Sequence, residues 1–258
     1  MRSFIKTMLA GVMLASSWAG SALAAGGGDV LLKHVDWSFN GPFGKFDQAS
    51  MQRGFQAYRE VCAGCHSLNY IAFRNLADLG YSEAEVKAIA AEYDIVDGPN
   101  DEGEMFTRPG IPADYFPAPY DNEQAARASN GGAYPPDLSL MVKARPNGAD
   151  YLYSLLTSYE EAPAGEAVPD GMYYNAAYPG HLIAMPQPLY GDDVEYANGA
   201  DASADAIAAD LVHFLNWTAE PKMETRKRTG VSVMIFLLLM VAFSYGAMKY
   251  VWADVKKA

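Results

Sequence analysis

The sequence contains few cysteines and histidines: Cys62 and Cys65 are the only two cysteines, and there are four histidines among 258 residues. Two cysteines three positions apart leave no framework of structural disulfides. No segment of 20–50 residues recurs, which argues against a repeat architecture. Basic residues are scarce as well. Residues 25–224 hold 11 Lys and Arg against 30 Asp and Glu, which gives this segment a net charge of −19. That charge disfavours nucleic-acid binding and favours positively charged partners.

The first 24 residues have the pattern of a secretory signal peptide. Arg2 and Lys6 precede an apolar stretch over residues 8–18, and a small-residue segment ending at Ala24 follows. This order matches the charged, apolar and small-residue regions of a secretory signal. We predict that residues 1–24 are a signal peptide cleaved after Ala24. An uncleaved N-terminal anchor is the alternative, which the short apolar core disfavours.

The C-terminal region has the length and composition of a membrane span. No charge occurs between Arg228 and Lys249, a run of 20 residues, and about 20 helical residues cross the hydrocarbon of a bilayer. We predict a transmembrane helix over residues 229–250. Basic residues flank it equally on both sides, so the signal peptide sets its orientation. We therefore expect residues 25–224 to form a periplasmic domain and residues 251–258 to form a cytoplasmic tail.

The apolar spacing predicts a mainly α-helical domain. Asp47 can cap a helix that leads to Cys62. A second helix is expected from Ser82 to Tyr93, and a third begins at Asp201 or Ser203. The first and third helices each carry apolar residues at three- and four-residue spacing, respectively Met51, Phe55, Tyr58 and Val61, and Ile207, Leu211, Phe214 and Leu215.

The amino-acid composition changes between Pro99 and Pro188, since 13 of the 15 prolines lie in this segment. Proline fixes φ and lacks an N–H donor, so the pattern predicts mostly turns and extended chain. One short helix is expected from Asp150 to about Tyr159. No convincing strand alternation appears.

The motif Cys62-Ala63-Gly64-Cys65-His66 has the Cys-x-x-Cys-His spacing of covalent haem attachment. Two thiols one helical turn apart can reach the two vinyl groups of one porphyrin and form thioethers. The imidazole that follows can then bind the iron, and Gly64 leaves room for the edge of the macrocycle. The motif therefore predicts one covalent haem c and a role in electron transfer.

The same cysteines are compatible with two other sites. A thioredoxin-like redox pair requires a βαβ context, which the pattern lacks. A zinc site requires two further ligands at matching spacing. Both are less consistent with an exported chain whose only cysteines lie in this motif.

The second axial ligand of the iron is less evident from the residues alone. A Met ligand opposite His66 gives a six-coordinate site with a raised reduction potential. Met185 is our choice, since it lies in a rigid Pro-rich segment, Ile183-Ala184-Met185-Pro186-Gln187-Pro188. The alternatives that remain open are Met105, Met141, Met172, His34, His181 and His213.

A series of segments in fixed order resembles the cytochrome c1 family, the haem subunits of the cytochrome bc1 complex. The resemblance extends over about residues 29–257. It includes Arg53-Gly54-Phe55-Gln56, Tyr58-Arg59-Glu60-Val61-Cys62, Arg108-Pro109-Gly110, Asp114-Tyr115-Phe116-Pro117, Asn130-Gly131-Gly132-Ala133-Tyr134-Pro135-Pro136-Asp137-Leu138-Ser139, Lys143-Ala144-Arg145, Asp150-Tyr151, Ser154-Leu155-Leu156-Thr157, Ile183-Ala184-Met185-Pro186, Ala219-Glu220-Pro221 and Arg226-Lys227-Arg228. One departure is Ser158, where the family usually has Gly.

The resemblance implies a fold and a set of site residues. The fold is mainly α, a class I cytochrome c-like haem domain with long Pro-rich irregular insertions and one C-terminal transmembrane helix. His66 and Met185 are then the iron ligands, and Cys62 and Cys65 hold the haem. The remaining implied roles are proximity to the haem propionates for Arg145 and Tyr151, and lining of the pocket for Asn130, Pro135 and Pro136. Arg108 matches the family without an implied role.

The resemblance also implies a function as an electron carrier within ubiquinol:cytochrome c oxidoreductase. The expected partners are cytochrome b, the Rieske iron–sulfur protein, and a soluble or membrane-tethered cytochrome c, in a dimeric complex of the bacterial inner membrane. Candidate carboxylates for docking cytochrome c are Asp94, Asp97, Asp101, Glu102, Glu104, Asp192, Asp193 and Glu195. Two rival functions are a free-standing membrane-anchored cytochrome c and a haem peroxidase or reductase with an open iron position.

Overall fold

The computed structural model of the protein describes residue 30 and residues 32–254. The predicted signal peptide, residues 1–24, and the last four residues of the predicted tail lie outside the described residues. The remaining chain is mainly helical, with two short antiparallel strand pairs. This confirms the predicted fold class.

The helices and strands follow one another along the chain with long irregular connections between them. In chain order they are α1 (Gln48–Ala57), a π-helical turn (Tyr58–Cys62), a 3₁₀ helix (Phe73–Leu79), α2 (Glu83–Ala91), β1 (Asp94–Asp97), β2 (Phe106–Pro109), α3 (Glu123–Ser129), α4 (Met141–Ala144), α5 (Gly148–Thr157), β3 (Tyr173–Tyr174), β4 (Leu182–Ile183), α6 (Ala204–Ala219) and α7 (Met223–Val251).

Helices α1 and α6 cross closely and form the centre of the fold. At the crossing, a Cβ atom on Gly54 would lie 2.0 Å from the carbonyl oxygen of Asp210 and 2.8 Å from Cβ of Phe214, so only glycine fits. The guanidinium of Arg53 binds the buried carboxylate of Asp210 through two hydrogen bonds of 2.6 and 2.8 Å. This pair fixes the rotation of α1, and hence the direction in which the chain reaches Cys62.

The predicted helix starts are confirmed at three caps. The Asp47 carboxylate accepts a hydrogen bond of 2.9 Å from the backbone N–H of Ser50, and α1 follows. Ser203, one of the two predicted starts, caps α6. Ser82 caps α2, which ends at Ala91, two residues before the predicted end at Tyr93.

The Pro-rich segment is more regular than predicted. Besides α5, it contains α3 and α4, and β2 pairs with β1 in a hairpin that the sequence pattern did not indicate. The strands are short and largely exposed, so they lack the apolar alternation by which a strand is recognised. The prediction of a single helix and no strands in this segment was therefore wrong.

Helix α7 is long and apolar enough to cross a membrane, and its most apolar part is not buried against the rest of the chain. It begins at Met223, six residues before the predicted span. The residues of this first part are largely charged, and they contact the domain instead of forming part of the apolar run. The helix therefore fits a single transmembrane span that continues directly out of the domain.

Candidate haem site

The two cysteines lie on a tight turn at the end of α1. The helix widens into the π-helical turn at Tyr58–Cys62, after which the N–H groups of Cys65 and His66 donate to the carbonyl oxygen of Cys62 at 3.1 and 2.9 Å. Both thiols are consequently presented one turn apart. Cys62 is half-buried, whereas Cys65 and Gly64 are exposed, so one of the two attachment points lies at the protein surface.

The environment of Cys62 disfavours the thiolate. Burial, with a smaller contribution from the neighbouring Cys65, raises the pKa of the Cys62 thiol to about 12. A redox-active cysteine of the Cys-x-x-Cys type has the opposite property, a lowered pKa that generates the thiolate nucleophile. The pair therefore fits a role as attachment points better than a role as a thiol–disulfide redox couple.

The imidazole of His66 is oriented by a backbone carbonyl 70 residues away. Its Nδ1 lies 2.7 Å from the carbonyl oxygen of Pro136, and because a carbonyl only accepts, Nδ1 carries the proton. Burial lowers the pKa of His66, against the opposing effect of this hydrogen bond. A neutral imidazole with a protonated Nδ1 has its lone pair on Nε2, which is the form that binds a metal.

Asp137, which directly follows Pro136, holds the segment after His66 by accepting hydrogen bonds from it. Its carboxylate accepts hydrogen bonds of 2.8 Å from the hydroxyl of Ser67 and from the backbone N–H of Asn69. The same carboxylate accepts from the N–H of Ser139 at 2.9 Å. Sequence reasoning did not single out Asp137, although it lies in a segment that carries the family resemblance.

The predicted pocket residue Asn130 contacts the second cysteine through a tyrosine. Its side-chain amide donates to the hydroxyl of Tyr120 at 3.1 Å and to the carbonyl oxygen of Ala126 at 2.7 Å. The Tyr120 hydroxyl in turn lies 3.9 Å from Sγ of Cys65. Tyr120 was not predicted. Of the two predicted prolines, Pro136 supplies the carbonyl that orients His66, and half-buried Pro135 precedes it.

Met185 follows β4 and is half-buried. The Tyr159 hydroxyl donates a hydrogen bond of 3.1 Å to the Met185 carbonyl oxygen, and this fixes the backbone that carries the thioether. Tyr159 also forms a β-bridge with Asn175, whose amide donates to the Leu155 carbonyl oxygen at 2.8 Å. The Met185 backbone is thus attached to the chain after α5 by one hydrogen bond, and Asn175 is attached to α5 and Tyr159 by two further contacts.

Arg145 and Tyr151 are close enough to interact electrostatically. Tyr151 is buried in α5, and burial raises the pKa of its hydroxyl, while the positive charge of Arg145 lowers it. Arg145 itself is exposed at the end of α4. A cation and a phenol hydroxyl in such an arrangement suit the binding of a carboxylate such as a haem propionate.

The three alternative histidine ligands each make contacts with other residues. The ring of His213 packs edge-on against Trp37 and Phe39, at centroid distances of 5.4 and 5.2 Å. His34 is exposed and its Nδ1 lies 2.8 Å from the Asp150 carboxylate. His181 stacks on Tyr174 at 5.6 Å.

The donor set as a whole fits haem c. It consists of two thiols on one turn, a following imidazole whose Nε2 is left unprotonated, and a half-buried thioether on a separate segment. Imidazole and thioether are the axial ligands of six-coordinate electron-transfer haems.

Comparison with known proteins gives the same result. The model of the "Cytochrome C1 family" matches residues 37–255. The chain is 52% identical over 240 residues to "Cytochrome b/c1" of Bradyrhizobium diazoefficiens, a match that covers 84% of this chain and 35% of that longer protein. It is 44% identical to "Cytochrome c1" of Rhodospirillum rubrum, over 99% of this chain and 100% of the relative.

A mitochondrial relative extends the comparison to eukaryotes. The chain is 50% identical over 222 residues to "Cytochrome b-c1 complex catalytic subunit, mitochondrial" of Candida albicans, which covers 86% of this chain and 77% of the relative. The family match includes the whole haem-attachment turn, the Met185 segment and helix α7. The chain therefore belongs to the cytochrome c1 family and carries covalent haem c.

Proposed function

We propose that this chain is the electron-transfer subunit of a ubiquinol:cytochrome c oxidoreductase, the cytochrome bc1 complex. It accepts one electron from the Rieske iron–sulfur protein and passes it to a soluble or membrane-tethered cytochrome c. The covalent haem c supplies the redox centre, and the polypeptide holds, orients and encloses it. By itself the chain is an electron carrier that makes and breaks no bonds of a substrate.

The observation that carries the proposal is the hydrogen bond from His66 to Pro136. It holds the imidazole so that Nε2 is available as one axial ligand, and we assign the other to Met185. Cys62 and Cys65 would form the thioethers, Arg145 and Tyr151 would bind the propionates, and Asn130, Pro135 and Pro136 would line the pocket. Haem held by His66 and Met185 would have both iron ligands supplied by the protein, which favours electron transfer over binding of external gases.

The acidic surface supports a basic partner such as cytochrome c. The described residues separate the candidate carboxylates into two groups. Asp97 forms an ion pair with Arg108, and Asp193 accepts from the N–H groups of Tyr190 and Gly191, so both maintain local structure. The other six candidates, Asp94, Asp101, Glu102, Glu104, Asp192 and Glu195, are exposed and form no ion pair with other described residues. Asp101, Glu102 and Glu104 lie together in the β1–β2 turn, and we assign the docking role to these three.

The membrane arrangement follows from α7 and the signal peptide together. We propose that α7 spans the bacterial inner membrane once, with residues 25–224 in the periplasm and residues 251–258 in the cytoplasm. Partnership with cytochrome b is supported by the name of the Bradyrhizobium relative, which joins the two cytochromes in one longer protein. We further propose that the complex is dimeric.

Purification and reduction of the complex test the proposal. Mild detergent extraction of the tagged chain should retain cytochrome b and a Rieske protein, and added quinol should reduce its haem. Complex prepared without the Rieske protein should retain the haem spectrum but lose reduction by quinol, while added cytochrome c should still accept electrons from prereduced chain. Reduction by quinol at the same rate without the Rieske protein would contradict the proposed electron path.

A further inference from the structure

A short loop over residues 38–45, which we call the aromatic loop, projects from the domain beside the start of α7. Its base is closed by a hydrogen bond of 2.9 Å from the N–H of Lys45 to the carbonyl oxygen of Ser38. Gly44 passes so close to the preceding chain that a Cβ atom there would lie 2.0 Å from the carbonyl oxygen of Asn40. The turn is therefore tight and defined. Its tip, residues 40–43, is exposed, and Phe43 is 79% exposed.

Two side chains of α7, Lys227 and Glu224, form hydrogen bonds with the aromatic loop and with Phe46, which follows it. The ammonium group of Lys227 donates to the carbonyl oxygens of Phe39 and Gly44 at 2.5 and 3.4 Å. The N–H of Phe46 donates to the carboxylate of Glu224 at 2.9 Å. Glu224 and Lys227 are three positions apart, about 4.5 Å along a helix. The aromatic loop and Phe46 are therefore attached to the first five residues of α7, directly before its apolar part.

The position of Lys227 sets the depth of the aromatic loop when α7 spans a bilayer. The charge-free part of α7 becomes apolar at Val231, four residues later and about 6 Å along the helix, with Ser232 as the one polar residue before Ser244. The polar layer on each side of the hydrocarbon is roughly 5–7 Å thick. The loop backbone is therefore held at the level of the lipid headgroups, where aromatic side chains are favoured.

The charge of the aromatic loop also differs from that of the domain. Residues 25–224 carry a net charge of −19, whereas the aromatic loop contains no Asp or Glu and one exposed cation, Lys45; exposed Asp36 and Asp47 lie two residues outside its ends. The loop tip itself therefore carries no anion that would oppose contact with an anionic membrane surface.

We propose that the aromatic loop is a second membrane contact, in which Phe43 inserts into the lipid interface of the leaflet next to the haem domain. The proposal rests on the proposed single span by α7. Together, α7 and Phe43 give two points of attachment, and two points restrict the tilt of the domain relative to the bilayer. The haem-bearing surface is thereby kept at a defined height and orientation for its partners.

Spin labelling of the full-length haem-loaded chain in vesicles of phosphatidylcholine and phosphatidylglycerol tests the depth of Phe43. Both native cysteines are consumed by the haem, so an introduced cysteine is the only free thiol of the chain. Labels are placed by Phe43→Cys, by Val96→Cys in β1 as an aqueous control, and by Leu238→Cys in α7 as a membrane control. With the haem kept reduced and diamagnetic, collisions with oxygen and with a water-soluble nickel chelate are compared.

At position 43 we expect an oxygen-to-nickel collision ratio severalfold above that at position 96 and below that at position 238. A ratio equal to that at position 96 would overturn the proposal. An oxygen-to-nickel collision ratio typical of lipid at position 238, together with an aqueous ratio at position 43, would reject the loop contact and leave the membrane span by α7 intact. Aqueous ratios at both positions would instead reject the membrane span on which the loop contact rests.

Photo-crosslinking in the complete complex distinguishes lipid from protein as the occupant. p-Benzoylphenylalanine in place of Phe43 retains an aromatic ring and reacts with neighbouring C–H bonds on irradiation. Adducts whose mass increase equals that of a phospholipid support the proposal. Crosslinks to cytochrome b, or the absence of any adduct at 43 while position 238 reacts, overturn it.

Discussion

The Nδ1 atom of His66 lies 2.7 Å from the carbonyl oxygen of Pro136, so the imidazole of the haem-attachment turn is oriented by a backbone group 70 residues further along the chain. This contact, and the hydrogen bonds that Asp137 accepts from Ser67 and Asn69, join two segments that are about 70 residues apart. The Cys62–His66 turn and the Pro136–Asp137 segment are consequently tied together. The imidazole that we propose as one iron ligand is thus oriented by protein contacts that do not involve Met185.

Replacement of Met185 by leucine should remove the second axial ligand while retaining the volume of the side chain. The oxidised variant should lose its weak sulfur-to-iron absorption band, and its potential should fall by on the order of 0.1 V, within the range of about 0.8 V that axial ligands span. Met172→Leu, at another half-buried methionine of the Pro-rich segment, is the matched control. An unchanged band in Met185→Leu would place the ligand elsewhere.

Replacement of Tyr159 by phenylalanine tests whether the Met185 backbone is positioned by this hydroxyl. The variant loses one hydrogen bond of 3.1 Å, worth about 1 kcal/mol. A change of that size corresponds to about a fivefold shift of an equilibrium. We expect carbon monoxide to bind the reduced variant about fivefold more readily than wild type, with the covalent haem retained. Tyr173→Phe, an exposed tyrosine, should show no change.

Stability in acid should depend on Asp150. Burial raises the pKa of its carboxyl, but hydrogen bonds from His34, Trp37 and the N–H of Val35 outweigh burial, and the pKa lies below its ordinary value of 3.8. A carboxyl with a lowered folded-state pKa contributes stability that is complete above the unfolded pKa and lost as the pH falls below it.

The Asp150→Asn variant should therefore be less stable than wild type at neutral pH, and the difference should shrink below about pH 4. Thermal unfolding of the full chain in detergent at several pH values measures this. Asp101→Asn, at an exposed carboxylate of the β1–β2 turn, is the control with no expected change. A difference between Asp150→Asn and wild type that stays constant through the acid range would contradict the assignment.

Electron transfer from the reduced chain to cytochrome c should depend strongly on salt. Long-range attraction between an acidic donor and a basic acceptor is screened, since the Debye length falls from about 10 Å at 0.1 M to about 3 Å at 1 M. We expect the second-order rate to fall at least about tenfold over that change, as for other steered associations. A double variant, Glu102→Gln and Glu104→Gln, should weaken the dependence, whereas Glu166→Gln should not. A flat salt response in wild type would exclude electrostatic steering.

Local signals were sufficient to predict the attachment turn and the ends of several helices. The Cys62–His66 spacing specifies haem attachment without any long-range contact, and Asp47 and Ser203 act as caps through neighbouring N–H groups. The charge-free run after Arg228 likewise predicts the apolar helix from composition alone. In these cases the interacting groups are only a few positions apart in the sequence.

Contacts between distant segments could not be predicted in the same way. The β1–β2 hairpin is maintained by Arg108, which binds Asp97 and Asp114 across the turn, and not by apolar alternation. Tyr120 and Tyr159 come to the site only because their segments wrap around it. Neither residue has a sequence environment that distinguishes it from the other tyrosines of the Pro-rich segment.

Spectroscopy of the purified full-length chain shows whether haem is bound covalently and ligated by two residues of the protein, as we propose. We predict that acidified organic solvent does not extract the haem, that pyridine gives a c-type haemochrome spectrum, and that the reduced protein binds carbon monoxide only weakly. Haem that is extracted into the solvent, or a reduced protein that binds carbon monoxide readily, would contradict this proposal.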